Sequence, residues 1–274
     1  MSLPTILVSN DDGYLAQGVQ TLARALAPLG RVVVVAPAID QSAVSHSMSL
    51  RRPLRLQRFA DINCAPHQAI EVYAVDGTPT DAVYMAAHHI LRDTKPALVV
   101  SGINHGANLG NDILYSGTVS AAMEGVFLDI PSVAMSLVGN HDLDFVPAGR
   151  FAFELCRTLL KHPLPKGALL NVNVPKRIVK PGFAVTCLGK HDYAADVEER
   201  KDPRGQSYYW IGGQWSGYQD LPGTDCKAVA DGQISVTPIE MKLTCQRLLP
   251  WVEKLQLDQF AAFAEYKNAS EEKL

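Results

Sequence analysis

Leu3-Pro4-Thr5-Ile6-Leu7-Val8-Ser9-Asn10-Asp11-Asp12-Gly13-Tyr14 opens the chain with an apolar run that stops at two adjacent carboxylates. Thr5 to Ser9 is short and uninterrupted, the pattern of a strand buried on both faces. Like charges side by side at a strand end raise one another's pKa unless a cation or hydrogen-bond donors offset the repulsion. A divalent metal is the first candidate. Consecutive strand side chains point to opposite faces, so Asp11 and Asp12 converge only where the strand gives way to the turn at Gly13. The blander alternative has one Asp capping the next helix and the other solvated.

Outward from this segment, Val32 to Pro37, Ala97 to Ser101, Ser132 to Ser136 and Leu169 to Val174 are further strand candidates. Val19, Leu22, Ala23 and Leu26 recur at helical spacing, and Thr80 to Leu91, Thr118 to Leu128 and Phe151 to Leu160 follow suit. This alternation predicts an α/β fold, a mostly parallel sheet with helices on both faces. Ligands bind beyond the carboxyl ends of such strands. The polar clusters fall there: Asn10-Asp11-Asp12, Asp40-Gln41-Ser42 and Ser101-Gly102-Ile103-Asn104. After residue 176 Gly, Pro, Tyr and Trp accumulate, as in Tyr208 to Trp215, and the alternation stops. A core over residues 1–176 and a hairpin-rich lobe over 177–274 are expected, the latter with a strand at Gln233 to Pro238 and a terminal helix over Pro250 to Tyr266.

With 274 residues, 47% of them hydrophobic, the chain can bury a large core. A net charge of -3 argues against a nucleic-acid polymer as partner. No signal peptide or run of membrane-spanning length is visible, so a soluble, cytoplasmic protein without a membrane partner is expected. Cys64, Cys156, Cys187, Cys226 and Cys245 are odd in number and never in a CxxC pair, so reduced, mostly packed thiols are expected. His88-His89 lies in a helical pattern and is taken as structural.

Ser42 and Asn104 would add a hydroxyl and an amide oxygen to the two carboxylates. Such an all-oxygen set suits one Mg²⁺, Mn²⁺ or Ca²⁺ ion and disfavours zinc. Gly102, Gly106 and Gly110 recur every fourth residue, which is not GxGxxG, so a nicotinamide cofactor is unsupported. Ser116-Gly117-Thr118 opens an apolar helix, where free N–H groups make either an anion seat or an ordinary cap. Arg51, Arg52, Arg55 and Arg58 fit a solvated strand face better than a phosphate funnel. Asp76-Gly77-Thr78 is similar to the DGT element of haloacid-dehalogenase phosphatases, but Ala74 stands where their nucleophilic Asp belongs.

Ser9 to Gly13, Gln41-Ser42 with Ser45, Asp76 to Asp81, Ser101 to Asn104 with Gly106, Asn108 and Gly110, and Tyr115 to Val119 together resemble the survival protein E (SurE) family of nucleotidases. Gly223-Thr224-Asp225, Gly232 and Ile234 to Pro238 extend the likeness toward the C-terminus. The resemblance implies a Rossmann-like metallophosphatase acting on nucleoside 5′- and 3′-monophosphates, and often on short polyphosphate. Its metal ligands fall on Asp11, Asp12, Ser42 and Asn104, with the two aspartates catalytic. Its phosphate-contacting segments fall on Asn10, Ser45, Asn108, Ser116, Gly117 and Thr118. It also implies homodimers or homotetramers in which the C-terminal lobe reaches a neighbour. Ala43 departs from the pattern, which often has Gly there, and Asn111-Asp112 replaces an acidic pair.

Two other classes remain open on the residues alone: a non-catalytic, metal-switched regulator, and an enzyme that holds a sugar nucleotide through the same metal. A receiver-like regulator would need a phosphoacceptor Asp where this chain has Asn104.

Overall fold

The computed structural model describes residues 3–65, 68–139, 141–193, 197–211 and 215–256. Two compact units form, Met1–Glu240 and Met241–Leu274. In the first, the chain runs through β1 (Thr5–Ser9), α1 (Gln17–Leu26), β2 (Arg31–Pro37), β3 (Leu56–Ala65), β4 (Gln68–Val75), α2 (Pro79–Met85) and β5 (Leu98–His105). It continues through α3 (Gly117–Phe127), β6 (Ser132–Val138), α4 (Val146–Leu159), β7 (Ala168–Pro175) and β8 (Phe183–Val185). Then follow β9 (His191–Tyr193), β10 (Val197–Lys201), β11 (Ser207–Ile211), β12 (Trp215–Tyr218), α5 (Asp225–Ala230) and β13 (Ile234–Glu240).

The main sheet has the order β3-β4-β2-β1-β5-β6-β7-β13-β8. Its six mutually parallel strands β1, β2, β4, β5, β6 and β7, numbered in chain order, lie as 3-2-1-4-5-6, the Rossmann order. β3 adds an antiparallel edge on β4, and β13 pairs antiparallel with β7 while β8 runs parallel to β13. Stretches of the chain beyond residue 176 thus complete this sheet, while β10–β11 and β9–β12 form two separate ribbons.

Strand alternation sorts the core into two layers. Ile6 and Val8 of β1 pack with Val19, Leu22 and Leu26 of α1 and Ala148, Ala152 and Cys156 of α4. Leu7 faces the other way, with Ala82 and Val83 of α2 and Ala121 of α3. The α1 stripe at i, i+3, i+4 and i+7 is fully buried, which is why that helix lies on the sheet.

The Arg-rich stretch, expected as a solvated strand face, leads into the edge strand β3; Arg52 and Arg55, just before it, pair with Asp76, and Arg58 within it lies over the Tyr73 ring. Other segments differ from the sequence expectation. Helix α4 begins at Val146, because Pro147 fits a first turn, where no N–H is needed. The expected helix from residue 80 to 91 is α2 followed by a π-turn, Ala86–Ile90, which holds both histidines. Cys156 and Cys226 are buried, and burial pushes both thiols up to about 12, but Cys187 and Cys245 are exposed. The side chain of Cys64 lies outside the described set. In the second unit, α6 (Leu249–Glu253) is short, and Gln256 takes a left-handed φ of +49° that ends the helical path. Residues 257–266 of the expected terminal helix lie outside the described residues. Among the described residues no helix is long and apolar enough to cross a membrane.

Candidate active site

β1 and β5 are neighbours at the centre of the sheet, and the chain order departs from β1 in both directions. This is the topological switch point, where loops leave a crevice. The loop after β1 is shaped by Asn10, whose buried Nδ2 donates to Gly13 O (2.9 Å). It is tied to the loop after β2 by Gln41 N–H donating to Asp11 O (2.8 Å).

The alternation of β1 carries on past its end. Asp11 follows Leu7 and Ser9 toward α3, and is only 5% exposed. There the Thr118 hydroxyl donates to Asp11 Oδ1. Close approach requires Gly117: a Cβ there would lie 2.7 Å from Asp11 Cβ. Burial pushes the Asp11 carboxyl up to about 6, with the Asp12 charge adding to the rise and hydrogen bonds from the Thr118 side chain and backbone opposing it.

Asp12 turns to the α1 and α4 side. Burial raises its pKa and the Asp40 charge adds to that, while the His105 N–H, donating to Asp12 Oδ2 (3.2 Å), works the other way. Beside it opens a cleft of about 530 Å³ lined by Asp12, Gln17, Asp40, His105, Asp142 and Phe145 among others. Among the described residues no Lys or Arg pairs with Asp11 or Asp12.

Asn104 owes its place to a bulge. Ser101 pairs with Ala134 and Asn104 with Ser136, so β5 carries one extra residue against β6. Gly102 makes it possible: its φ is +122°, and a Cβ there would meet Met135 O at 2.2 Å. Asn104 Nδ2 donates to Gly106 O (3.1 Å), which leaves the amide oxygen as the atom offered to a ligand. Ser42 is exposed on the loop after β2, its N–H held by Asp40 Oδ1 (2.7 Å).

The remaining expected contacts divide. Gly117 and Thr118 begin α3, and Ser116 caps it by accepting from Val119 N–H (3.1 Å). Ser45 gives its N–H to Tyr115 O (3.0 Å) and its hydroxyl to Leu114 O (2.6 Å), which pins the second loop to the α3 approach. Asn108 is buried, with Nδ2 on Ser136 Oγ (2.8 Å) and its carbonyl accepting from Asn171 and Asn173. Asp225 clamps the same loop from beyond residue 176, accepting from Gly110 N–H (2.9 Å) and Gly189 N–H (2.7 Å). Sequence reasoning did not single out Asp142 or Phe145 of the cleft, although both follow β6 and obey the strand-end rule. Asp225 entered the sequence reading only within the Gly223-Thr224-Asp225 likeness, because its role as a clamp depends on two distant loops.

A cation would fit this donor set. Two desolvated carboxylates that no Lys or Arg among the described residues pairs with, an amide oxygen already oriented and a nearby hydroxyl are hard oxygen donors. Among the described residues no cluster of three or more His, Cys, Asp or Glu side chains forms a metal site, so neutral oxygens would complete the set.

The family model described as Survival protein SurE matches residues 6–195. The 5'-nucleotidase SurE of Myxococcus xanthus (strain DK1622) is 50% identical over 256 residues, 93% of this chain and 94% of that protein. The 5'-nucleotidase SurE of Vibrio cholerae serotype O1 (strain ATCC 39315 / El Tor Inaba N16961) is 44% identical over 246 residues, 89% of this chain and 94% of its own length. The crystal structure of SurE protein from Aquifex aeolicus superposes with a TM-score of 0.78 at 40% identity, covering 92% of this chain and 100% of that one. With carboxylates, bulge and α3 placed as described, and likeness running over most of the chain, this protein belongs to the survival protein SurE family.

Proposed function

We propose that this protein is a metal-dependent phosphomonoesterase that hydrolyses nucleoside 5′- and 3′-monophosphates to nucleoside and inorganic phosphate, and acts on short polyphosphate too. One observation carries the reading: two adjacent, desolvated carboxylates that no Lys or Arg among the described residues neutralises lie at the switch point, one beside the N-terminus of α3. The 5′-nucleotidase names of the relatives support the substrate class.

Asp11, Asp12, Ser42 and Asn104 would hold one Mg²⁺ or Mn²⁺ ion. Bound there, the ion supplies Lewis acidity and neutralises phosphoryl charge. The N-terminus of α3, opening at Gly117, favours an anion at that end of the site. Ser116 and Ser45 hold the backbone that presents it. Asn10 and Asn108 act by shaping the loops, since their amide nitrogens are already engaged.

Asp12 is assigned to the attacking water. Asp11 is buried, with Oδ1 committed to Thr118, whereas Asp12 borders the open cleft. The water oxygen forms a bond to phosphorus, its proton passes toward Asp12, and the phosphorus–oxygen ester bond breaks. The departing alkoxide takes a proton from the exposed His105 at the cleft edge. The exposed β10–β11 ribbon is assigned to self-association into a homodimer or homotetramer.

The test is release of inorganic phosphate from a panel of nucleoside 5′- and 3′-monophosphates and a short polyphosphate. It is run after chelation and again after adding Mg²⁺ or Mn²⁺. Release restored by metal is expected. Equal release in chelator would overturn the metal-dependent mechanism, and no release from any nucleotide would overturn the substrate class.

A further inference from the structure

Glu124 is an acidic residue in the body of α3, only 6% exposed. A buried carboxylate is costly unless it is paired. Its partner is His46, whose Nε2 lies 3.0 Å from Glu124 Oε2. A carboxylate only accepts, so the histidine Nε2–H is the donor. The His46 ring also stacks on Phe127, one turn further along α3, with centroids 5.5 Å apart.

His46 belongs to the loop that carries Ser42, and that loop has little core of its own. Ser42, Ala43, Ser47, Met48 and Leu50 are exposed, and Ala43 and Ser45 both take left-handed φ values, +59° and +56°. Its far end is fastened to the cap of α2, where Thr78 Oγ1 donates to Ser47 O (2.7 Å) and Ser49 N–H donates to Asp81 Oδ1 (2.9 Å). Between these ties and Ser45, which bonds to Tyr115 O and Leu114 O, His46 reaches into α3. That helix therefore holds two things: Asp11 at its first turn through Thr118, and the loop of Ser42 through Glu124. Thr118 and Glu124 are six residues apart in one rigid helix, roughly 9 Å along its axis at 1.5 Å per residue.

We infer that Glu124 and His46 are positioning residues of the metal site: by latching the second loop onto α3, they hold Ser42 in register with Asp11. The inference rests on the proposed role of Ser42 as a metal ligand. It goes further by assigning how that ligand's loop is kept in place.

The test is Mn²⁺ binding to the full-length protein, read from the free-ion electron paramagnetic resonance signal. It uses wild type, His46→Ala, His46→Gln, Ser42→Ala and the double variant His46→Ala/Ser42→Ala. His46→Ala should weaken Mn²⁺ about tenfold, the size expected when a hydrogen bond to a charged group is lost. At saturating Mn²⁺ its kcat should stay within about twofold of wild type, because the latch acts on ligand placement. His46→Gln, whose amide can donate from a similar position, should bring affinity back to within about twofold. In the Ser42→Ala background, removing His46 should change nothing further. In metal-free protein, His46→Ala should also quicken amide exchange over residues 41–49.

Unchanged Mn²⁺ affinity in His46→Ala overturns the inference, as does unchanged exchange in that loop. So does an equal loss from His46→Ala with and without Ser42, since the latch would then act by another route. If Ser42→Ala itself leaves Mn²⁺ affinity intact, the ligand role of Ser42 has failed, and the positioning role falls with it for that separate, visible reason.

Discussion

The Thr118 hydroxyl, on the first turn of α3, donates its hydrogen bond to Oδ1 of Asp11 at the end of β1. It is a contact between residues 107 apart in sequence, and it joins a residue expected at the phosphate to one expected at the metal. The hydrogen bond favours the ionised form of Asp11 against burial, and it fixes which oxygen remains available.

Thr118→Val keeps the side-chain shape and deletes the hydroxyl. Losing a hydrogen bond to a charged group costs about 1.5–3 kcal/mol, so Mn²⁺ affinity should fall by about one to two orders of magnitude. Thr118→Ser should retain most of it. Calorimetric titration with Mn²⁺ checks the affinity, and inhibition by inorganic phosphate checks the alternative. If the phosphate inhibition constant moves while Mn²⁺ affinity does not, Thr118 is a phosphate contact instead.

Asp11→Asn should stabilise the metal-free protein while removing metal binding. The Asp11 carboxyl is raised from 3.8 to about 6, so between those values the folded state binds more protons than the unfolded one. Folding stability from this group is therefore fully present below pH 3.8 and is lost as pH rises through about 6. At pH 7.5 the lost stability is about 3 kcal/mol. The neutral amide of the variant would remove that cost, and its oxygen would still accept from Thr118. Urea unfolding in chelator should show the variant ahead of wild type at pH 7.5 and level with it near pH 4. Adding Mn²⁺ should reverse the order, since only wild type gains by binding. A variant less stable than wild type in chelator at pH 7.5 would contradict this account.

Ala43→Gly bears on a departure from the family pattern. Ala43 sits at a φ of +59°, in the left-handed region where a Cβ costs roughly 1–2 kcal/mol. Part of that gain is offset by the greater freedom of glycine in the unfolded chain. The net expectation is a stabilisation of about 0.5–1 kcal/mol with tighter metal binding, measured by thermal unfolding with and without Mn²⁺. Destabilisation would mean that Ala43 makes contacts worth more than its strained backbone.

Much of this was legible because it follows from period and strand ends. β1, β2, β6 and β7 are apolar runs of strand length, α1 is a clean stripe, and the rule that ligands gather beyond strand ends brings Asp11, Asp12, Ser42 and Asn104 to one edge. Tertiary contacts decided the rest. The bulge that aims Asn104 depends on Gly102 passing close to Met135 O, a neighbour supplied by β6. Whether Thr118 faces phosphate or carboxylate depends on how near α3 lies to β1, set by the missing Cβ of Gly117. The His46–Glu124 pair joins residues 78 apart, and neither has a local pattern that points to the other. The approach to β3 was legible as a solvated strand face, whereas the pairing of Arg52 and Arg55 with Asp76 depends on β4 lying alongside it.

The β10–β11 ribbon gives the last prediction. In its register Glu198 faces Trp210, Arg200 faces Tyr208 and Glu199 faces Tyr209, so large aromatic rings emerge on both faces. Tyr209, Trp210 and Ile211 are 61%, 58% and 94% exposed. An isolated two-stranded ribbon is marginal in water, and exposed apolar groups of this size mark a contact surface. A second copy of this chain is the expected partner. Tyr208→Ser/Trp210→Ser removes the rings of one face while leaving the backbone pairing intact. Light scattering on the eluting protein should show wild type at a multiple of 29.8 kDa and the variant shifted toward 29.8 kDa. Because the ribbon is separate from the main sheet, unfolding of the variant should keep its cooperativity. If the mass of the variant stays that of wild type, the ribbon is not what joins the copies.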